Sequence, residues 1–347
     1  MSPSHLPSLS VILPNYNHGH CVVGALEALL AQSLRPKEIL VIDDASSDDS
    51  VPIVEAFARS HPAVRLLRNE RNLGVMATFN SGLALVTGDY LYGAACDDRV
   101  LPGLFEKSIG LLARHPQAGF CCARALVSGP NGDAPAPYHT PVVSSRAAYL
   151  SPAQIVQNFE RHGAWIVPHT VIYRRQAFLD MGGYEPDLKS CADGFVYHVL
   201  SVKFGACYIP EALMLWNQSE DSFCRRSIPD LSSTLEINER MEHMMRTKHP
   251  GLFPAEYFTA MRREAFLKVL HYINDRHPGR YDEVLSLWGA LGPRSWMNRL
   301  FFMAWHGYVG LGRLALKLYH FAAQPSGEQK RIFAEKCRRL VLRRPAA

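Results

Sequence analysis

The sequence predicts an α/β fold: a mainly parallel central sheet covered by helices on both faces, with a helical extension towards the C-terminus. Three observations predict it. Residues 9–123 alternate short β-rich runs with stretches of helical apolar spacing. The composition, 48% hydrophobic and 20% charged over 347 residues with 24 Gly and 23 Pro, is that of an ordinary globular chain rather than a disordered, collagen-like or coiled-coil one. From Pro229 onward the pattern is mostly helical.

In order, Leu9–Leu13 reads as a strand stopped by Pro14, and Gly19–Gln32 as a helix with Val22, Val23, Leu26, Leu29 and Leu30 on one face. Glu38–Ile42 is a second strand, Asp48–Ser60 a helix and Val64–Leu67 a third strand. Val75–Val86 is a helix, Asp89–Tyr92 a strand, Leu101–Ala113 a helix and Ala118–Ala123 a fifth strand. The Pro-, Gly- and Ser-rich stretch 127–145 reads as a loop. Beyond 229, helices are expected over 235–245, 254–271 and 281–291. The length suggests a first unit over 8–228 and a second, helical unit over 229–347.

In such folds ligands bind at the carboxyl ends of the strands, so the polar residues after each strand carry the information. Neither G-x-G-x-x-G nor G-x-x-x-x-G-K-[ST] follows the first strand, which argues against a dinucleotide fingerprint and a P-loop. After the second strand comes Asp43-Asp44-Ala45-Ser46-Ser47-Asp48, where one of the last three residues is expected to cap the next helix. That leaves the paired acids Asp43 and Asp44 without an explanation in local structure. After the fourth strand comes a second pair, Asp97-Asp98. Two acidic pairs on one sheet edge suit a divalent cation, Mn²⁺ or Mg²⁺, held together with a diphosphate.

The charge is uneven. From Arg294 to the end, eleven basic residues face two acidic ones, so the tail carries +9 and the remainder −4 of the overall +5. The body is therefore no nucleic-acid binder. No apolar run reaches the ~20 residues of a spanning helix. The stretch 296–321 combines apolar and aromatic residues with basic flanks, and reads either as a helix lying on an anionic membrane surface or as a packed helix before a solvated tail. Met1–Ser8 lacks the basic and apolar regions of a secretory signal. The eight cysteines form no CxxC pair, so reduced thiols and a cytoplasmic location, peripheral on the inner face of the membrane if the tail binds lipid, are expected.

At this point the residues resemble a family. Ser10-Val-Ile-Leu-Pro14-Asn-Tyr16-Asn, Glu38 to Asp48 with its Asp43-Asp44, Asn69-Glu-Arg-Asn72-Leu-Gly74, Thr87-Gly-Asp-Tyr90 and Asp97-Asp98 together resemble the family 2 glycosyltransferases over about residues 8–224. The resemblance implies the glycosyltransferase A fold and an inverting, nucleotide-sugar-dependent transfer. It implies that Pro14 and Tyr16 contact the nucleobase, with Tyr16 stacking on it, and that Asp44 accepts a hydrogen bond from a uracil ring. Asn72 and Gly74 would line the nucleotide pocket, Asp97 would face the ribose or diphosphate, and Asp98 would ligate the metal. Arg99 stands where the family often has a third acid, and could lie near the diphosphate.

Pro168-His169 through Arg175, then Gly182-Gly183-Tyr184 and Cys191-Ala-Asp193, are similar to the family's acceptor-side region, which places the catalytic base at Asp193. A helix N-cap is the structural alternative for that residue. His169 has a structural default reading, as a lone histidine, beside a functional one in which it touches acceptor or donor. The family's aromatic-R-x-H-x-x-S segment appears here as Trp216-Asn217-Gln218-Ser219-Glu220-Asp221-Ser222, without the Arg and His, so Arg225-Arg226 become candidates to close over the phosphates. The implied partners are a nucleotide sugar, with a UDP-sugar favoured, and a hydroxyl on a glycan or lipid-linked acceptor in surface polysaccharide synthesis. A catalytically weak nucleotide-sugar-binding scaffold of a glycan-assembly complex is the alternative. A sugar nucleotidyltransferase is disfavoured, because no G-x-G-T-R-like loop follows the first strand.

Overall fold

Alternation along the first strand sets up the architecture. Leu9, Val11 and Leu13 point to one face of the sheet and Ile12 to the other, and all four are fully buried. A strand with apolar residues on both faces must be covered on both sides. In the computed structural model of the chain, two hydrophobic clusters do this, one on each face of the sheet. The structure describes residues 6–129, 134–138, 140–217 and 231–276.

The elements run β1 (Leu9–Asn15), α1 (Val22–Leu30), β2 (Glu38–Asp43), α2 (Ser50–Ser60), β3 (Val64–Arg68), α3 (Val75–Gly82), β4 (Tyr90–Gly93), β5 (Arg99–Val100) and α4 (Leu104–Arg114). Then come β6 (Phe120–Ser128), β7 (Ala136–Pro137), β8 (Ala148–Leu150), α5 (Pro152–His162), a 3₁₀ turn (Pro168–Thr170), β9 (Ile172–Arg174) and α6 (Arg175–Asp180). A second 3₁₀ segment (Pro186–Cys191) leads into α7 (Ala192–Phe204), β10 (Ala206–Asn217), α8 (Leu231–Lys248) and α9 (Ala255–Arg276).

The sheet order is β3-β2-β1-β4-β9-β6-β10-β5, with β7 paired to β6 and β8 to β10. β3, β2, β1 and β4 are mutually parallel, as the alternation requires. β9 is antiparallel to both of its neighbours, β4 and β6, and so joins the β4 side of the sheet to a second parallel pair, β6 with β10. The fold is thus the expected mixed α/β sheet flanked by helices. β10, which the sequence pattern does not reveal, carries Pro210 and Glu211 at a break in its register with β6, and this interrupts its apolar run.

α1 and α4 cover one face through Leu26, Leu29, Leu104, Phe105 and Ile109. α3, α5 and α7 cover the other, and α8 and α9 join that same cluster through Met241, Met245, Tyr257 and Phe258. The described part of the C-terminal region therefore shares a core with the unit before it. Among the described residues, no helix is long and apolar enough to cross a membrane. The helix expected at 281–291, the apolar-basic stretch 296–321, the basic tail and Arg225-Arg226 lie outside the described residues.

Candidate functional site

The loops after β1 and β2 are stitched into one unit. Asn15 Nδ2 donates to Asp43 Oδ1 at 2.8 Å and to Ser46 Oγ at 3.2 Å. Asp43 Oδ2 accepts the Ser46 amide at 3.0 Å, and Asn17 Oδ1 accepts the Ser47 amide at 2.8 Å. Asp48 bridges the two loops: Oδ2 takes the Gly19 amide at 2.9 Å and Oδ1 takes the Ser50 amide that opens α2, while the N-cap itself is Asp49, with no side-chain cap, rather than one of the three residues expected. The partners of Asp43, and its 1% exposure, explain how an acid sits at this strand end. Pro14 ends β1, and Tyr16 projects from the stitched unit with 45% of its surface exposed.

Asp44, 3% exposed, accepts three hydrogen bonds. Oδ1 takes Asn69 Nδ2 at 2.8 Å and the Leu73 amide at 2.9 Å; Oδ2 takes the Gly74 amide at 2.9 Å. Gly74 has φ +83°, a conformation that favours glycine, and its amide also meets Asn72 Oδ1 at 3.0 Å. Asp44, Asn72 and Gly74 are thus one construction, a loop wrapped around a buried carboxylate.

The acids after β4 divide into an open one and a closed one. Asp98 is 4% exposed: Oδ1 accepts the Asn217 amide at 3.0 Å, and Oδ2 lies 2.9 Å from His169 Nδ1. Asp97 is half-buried, and its backbone carbonyl accepts Asn217 Nδ2 at 2.6 Å. Burial and the neighbouring Asp98 charge push the Asp97 carboxyl above its ordinary range. His169 sits in the 3₁₀ turn before β9, its carbonyl fixed by Tyr92 Oη at 2.9 Å. Its ring stacks on Trp216 at 4.9 Å between centroids, and its side chain is 33% exposed. Burial disfavours charge on the imidazole, but the Asp98 contact, followed by Asp193 and Asp97, outweighs it and raises the pKa.

Asp193 lies in the first turn of α7, where the helix dipole favours a carboxylate. Its charge, after burial, helps raise the phenols of Tyr184, Tyr173 and Tyr197. Asn80 of α3 places Tyr184 by clamping its backbone, donating to its carbonyl at 2.7 Å and accepting its amide at 2.8 Å. The preceding Gly183 has φ +87°, and a Cβ there would come within 2.5 Å of Asn80 Oδ1.

The charges of Asp98, Asp193 and Asp97 therefore all bear on one imidazole, His169, while Asp43, the last residue of β2, and Asp44, which follows it, stand further along the same strand-end edge beside β1. Arg99 is exposed, with its guanidinium over Gly24 of α1, where a Cβ would meet Nη2 at 2.9 Å. Sequence reasoning gives no role to Asn217, Asn15 or Asn80, each of which positions a site residue through backbone or carboxylate contacts. Asn15 carried one usable signal, its place directly after the first strand.

The donor set suits a hard divalent ion shared with a diphosphate: one half-buried carboxylate with a raised proton affinity, one buried carboxylate and one carboxylate-bound imidazole. Among the described residues, no group of three or more His, Cys, Asp or Glu that could hold a metal ion is found.

Comparison with known proteins bears on the fold and the family. The model of glycosyl transferase family 2 matches residues 10–182. An uncharacterized protein of Mycobacterium tuberculosis (strain CDC 1551 / Oshkosh) is 32% identical over 214 residues, 60% of this chain and 66% of that protein. The uncharacterized glycosyltransferase YibD of Escherichia coli K12 is 39% identical over 98 residues, 28% of each chain. The glycosyltransferase GlyG of Streptococcus pneumoniae serotype 4 is 34% identical over 98 residues, 28% of this chain and 33% of that one. The chain thus spans less than two thirds of the length of these relatives. Two solved structures share the fold at low identity. Staphylococcus aureus TarS 1–349 in complex with UDP-GlcNAc has a TM-score of 0.63 and 16% identity, over 91% of this chain and 90% of that one. The Pyrobaculum calidifontis mannosyltransferase PcManGT in complex with GDP-Man and Mn²⁺ has a TM-score of 0.54 and 17% identity, over 90% and 86%.

Proposed function

Residues 10–182 belong to glycosyl transferase family 2, and from that premise we propose that the chain is an inverting glycosyltransferase moving a sugar from a nucleotide sugar, a UDP-sugar in the first instance, to a hydroxyl of a glycan or lipid-linked acceptor in surface polysaccharide synthesis. The observation that carries this reading is the contact of Asp98 with His169 at the strand ends, on an imidazole that the charges of Asp193 and Asp97 also reach. Donor-side and acceptor-side carboxylates then share one small region, as a direct displacement demands.

In this reading the unit of residues 8–228 carries donor and acceptor sites, and α8 and α9 of the 229–347 region pack against it. Tyr16 and Pro14 lie against the base, and Asp44 with its loop of Asn72 and Gly74 closes the nucleoside pocket. The Asp97-Asp98 pair marks the place of the divalent cation, Mn²⁺ or Mg²⁺, with Arg99 at the periphery of the donor. When bound, that ion offsets the negative charge that builds on the departing nucleoside diphosphate. Asp193 accepts the proton of the acceptor hydroxyl as the oxygen attacks the anomeric carbon from the face opposite the diphosphate. A single displacement needs no second nucleophile and inverts that carbon. The basic tail would hold the protein on the inner face of the membrane, where a lipid-linked acceptor is found.

A thermal-shift series with UDP, GDP and their sugars, with and without Mn²⁺, tests the reading. A ligand at one hundred times its Kd adds about 2.7 kcal/mol, a shift of roughly 4 °C for a chain of this size. With the donor so identified, Asp193→Asn is expected to lower kcat by about 10²- to 10⁴-fold while keeping the shift. Turnover near that of the wild type would remove Asp193 from its role. Binding without turnover in the wild type would favour the scaffold.

A further inference from the structure

Given the reading above, we propose that His169 supplies the second protein ligand of the divalent ion through Nε2, with Asp98 behind it as the carboxylate that orients the ring, and Asp97 as the carboxylate ligand. This inference rests on donor binding at the strand ends, and its test separates the two.

The argument begins with Asp98. An ionised carboxylate only accepts, so the 2.9 Å contact requires the hydrogen on His169 Nδ1. In the neutral ring that tautomer leaves the lone pair on Nε2, across the ring from Asp98. One face of the imidazole stacks on Trp216, and the peptide is tied by Tyr92 Oη to the His169 carbonyl. A buried carboxylate holding Nδ1–H, which leaves Nε2 as the nitrogen with a lone pair, is how proteins fix a metal-binding histidine. Asp98 is badly placed to be the open ligand, since it is 4% exposed and each oxygen already has a partner. Asp97 is only partly buried, and its charge bears on His169. Two protein ligands leave the rest of the coordination sphere to diphosphate oxygens and water, as a cation of this class prefers. The chain then carries its imidazole before β9, and the missing histidine of the 216–222 segment has a substitute.

The test is electron spin-echo spectroscopy of full-length protein with Mn²⁺ and UDP, repeated with GDP. The expected result is the ¹⁴N modulation of a directly bound imidazole. His169→Gln should abolish it and weaken Mn²⁺ binding, read from the free Mn²⁺ signal, by roughly tenfold or more. His61→Gln, a change at the C-terminal end of α2, should leave both unchanged. Labelling all 15 histidines with ¹⁵N should remove the ¹⁴N modulation without any substitution, which keeps the test valid if His169→Gln folds poorly. A chain that binds UDP or GDP in thermal shift but shows no ¹⁴N modulation, or keeps it in His169→Gln, overturns this inference and leaves the donor reading standing. A chain that binds neither nucleotide, with or without Mn²⁺, loses both.

Discussion

At Asp44 a single buried carboxylate serves as the acceptor for two backbone amides and one side-chain amide. Removing it leaves the Leu73 amide without its acceptor and takes one of two acceptors from Asn69 Nδ2 and the Gly74 amide, and each unsatisfied buried group costs about 1–3 kcal/mol where water cannot replace the partner. Asp44→Ala is therefore expected to lower unfolding free energy by a few kcal/mol in urea titration, and to weaken nucleotide binding more than Tyr16→Ala does. Equal stability of the Asp44→Ala protein would mean that the 69–74 loop holds its shape unaided. The strand-end position of Asp44 is visible in the sequence, because two adjacent acids after an apolar run need a reason. Its partners are not visible, since the Leu73 amide is a group that almost any residue could supply. The same holds for His169: a lone histidine carries no periodicity, and only folding reveals three acids around it.

β2 begins at Glu38, and this residue ties three segments together. Its carboxylate accepts Ser10 Oγ from β1, the Thr87 amide and hydroxyl, and Arg65 from β3. Although burial opposes it, these partners hold the Glu38 carboxyl below its ordinary range. A depressed folded value adds stability above the ordinary carboxyl pKa of about 4.3 and loses it as pH falls through the folded one. Glu38→Gln should thus cost about 1 kcal/mol at pH 7, with the gap to wild type closing in acid. A gap that stays constant from pH 7 to pH 3 would show the contacts to be indifferent to charge. At this scale the sequence is a good guide where a pattern repeats: β2 and α2 lie within about two residues of their expected bounds. α3 stops at Gly82 rather than Val86, and β10 escapes notice because Pro210 and Glu211 interrupt its apolar run.

Across the molecule, the face of the sheet that backs α7 is built from both ends of the described chain. Met245 of α8 is fully buried in the cluster that holds Phe195, Val196 and Tyr197 of α7. Met245→Ala should cost about 2–5 kcal/mol. Thermal unfolding of that protein should remain a single transition that also removes nucleotide binding, since α8 and α9 share the core of the first unit. Two separated transitions would instead mark 229–347 as an independently melting unit. The division between 8–228 and 229–347 was read from the change in pattern, and a shared core leaves no trace in a one-dimensional pattern. The bond from the Asn217 amide to Asp98 reaches across 119 positions of chain. A ribosome adding about 5–20 residues per second needs roughly 6–24 s to bridge that interval. During that time Asp98 has emerged without the residue that completes its surroundings, so a nascent chain halted short of Asn217 is expected to have a sheet before it has a working pocket.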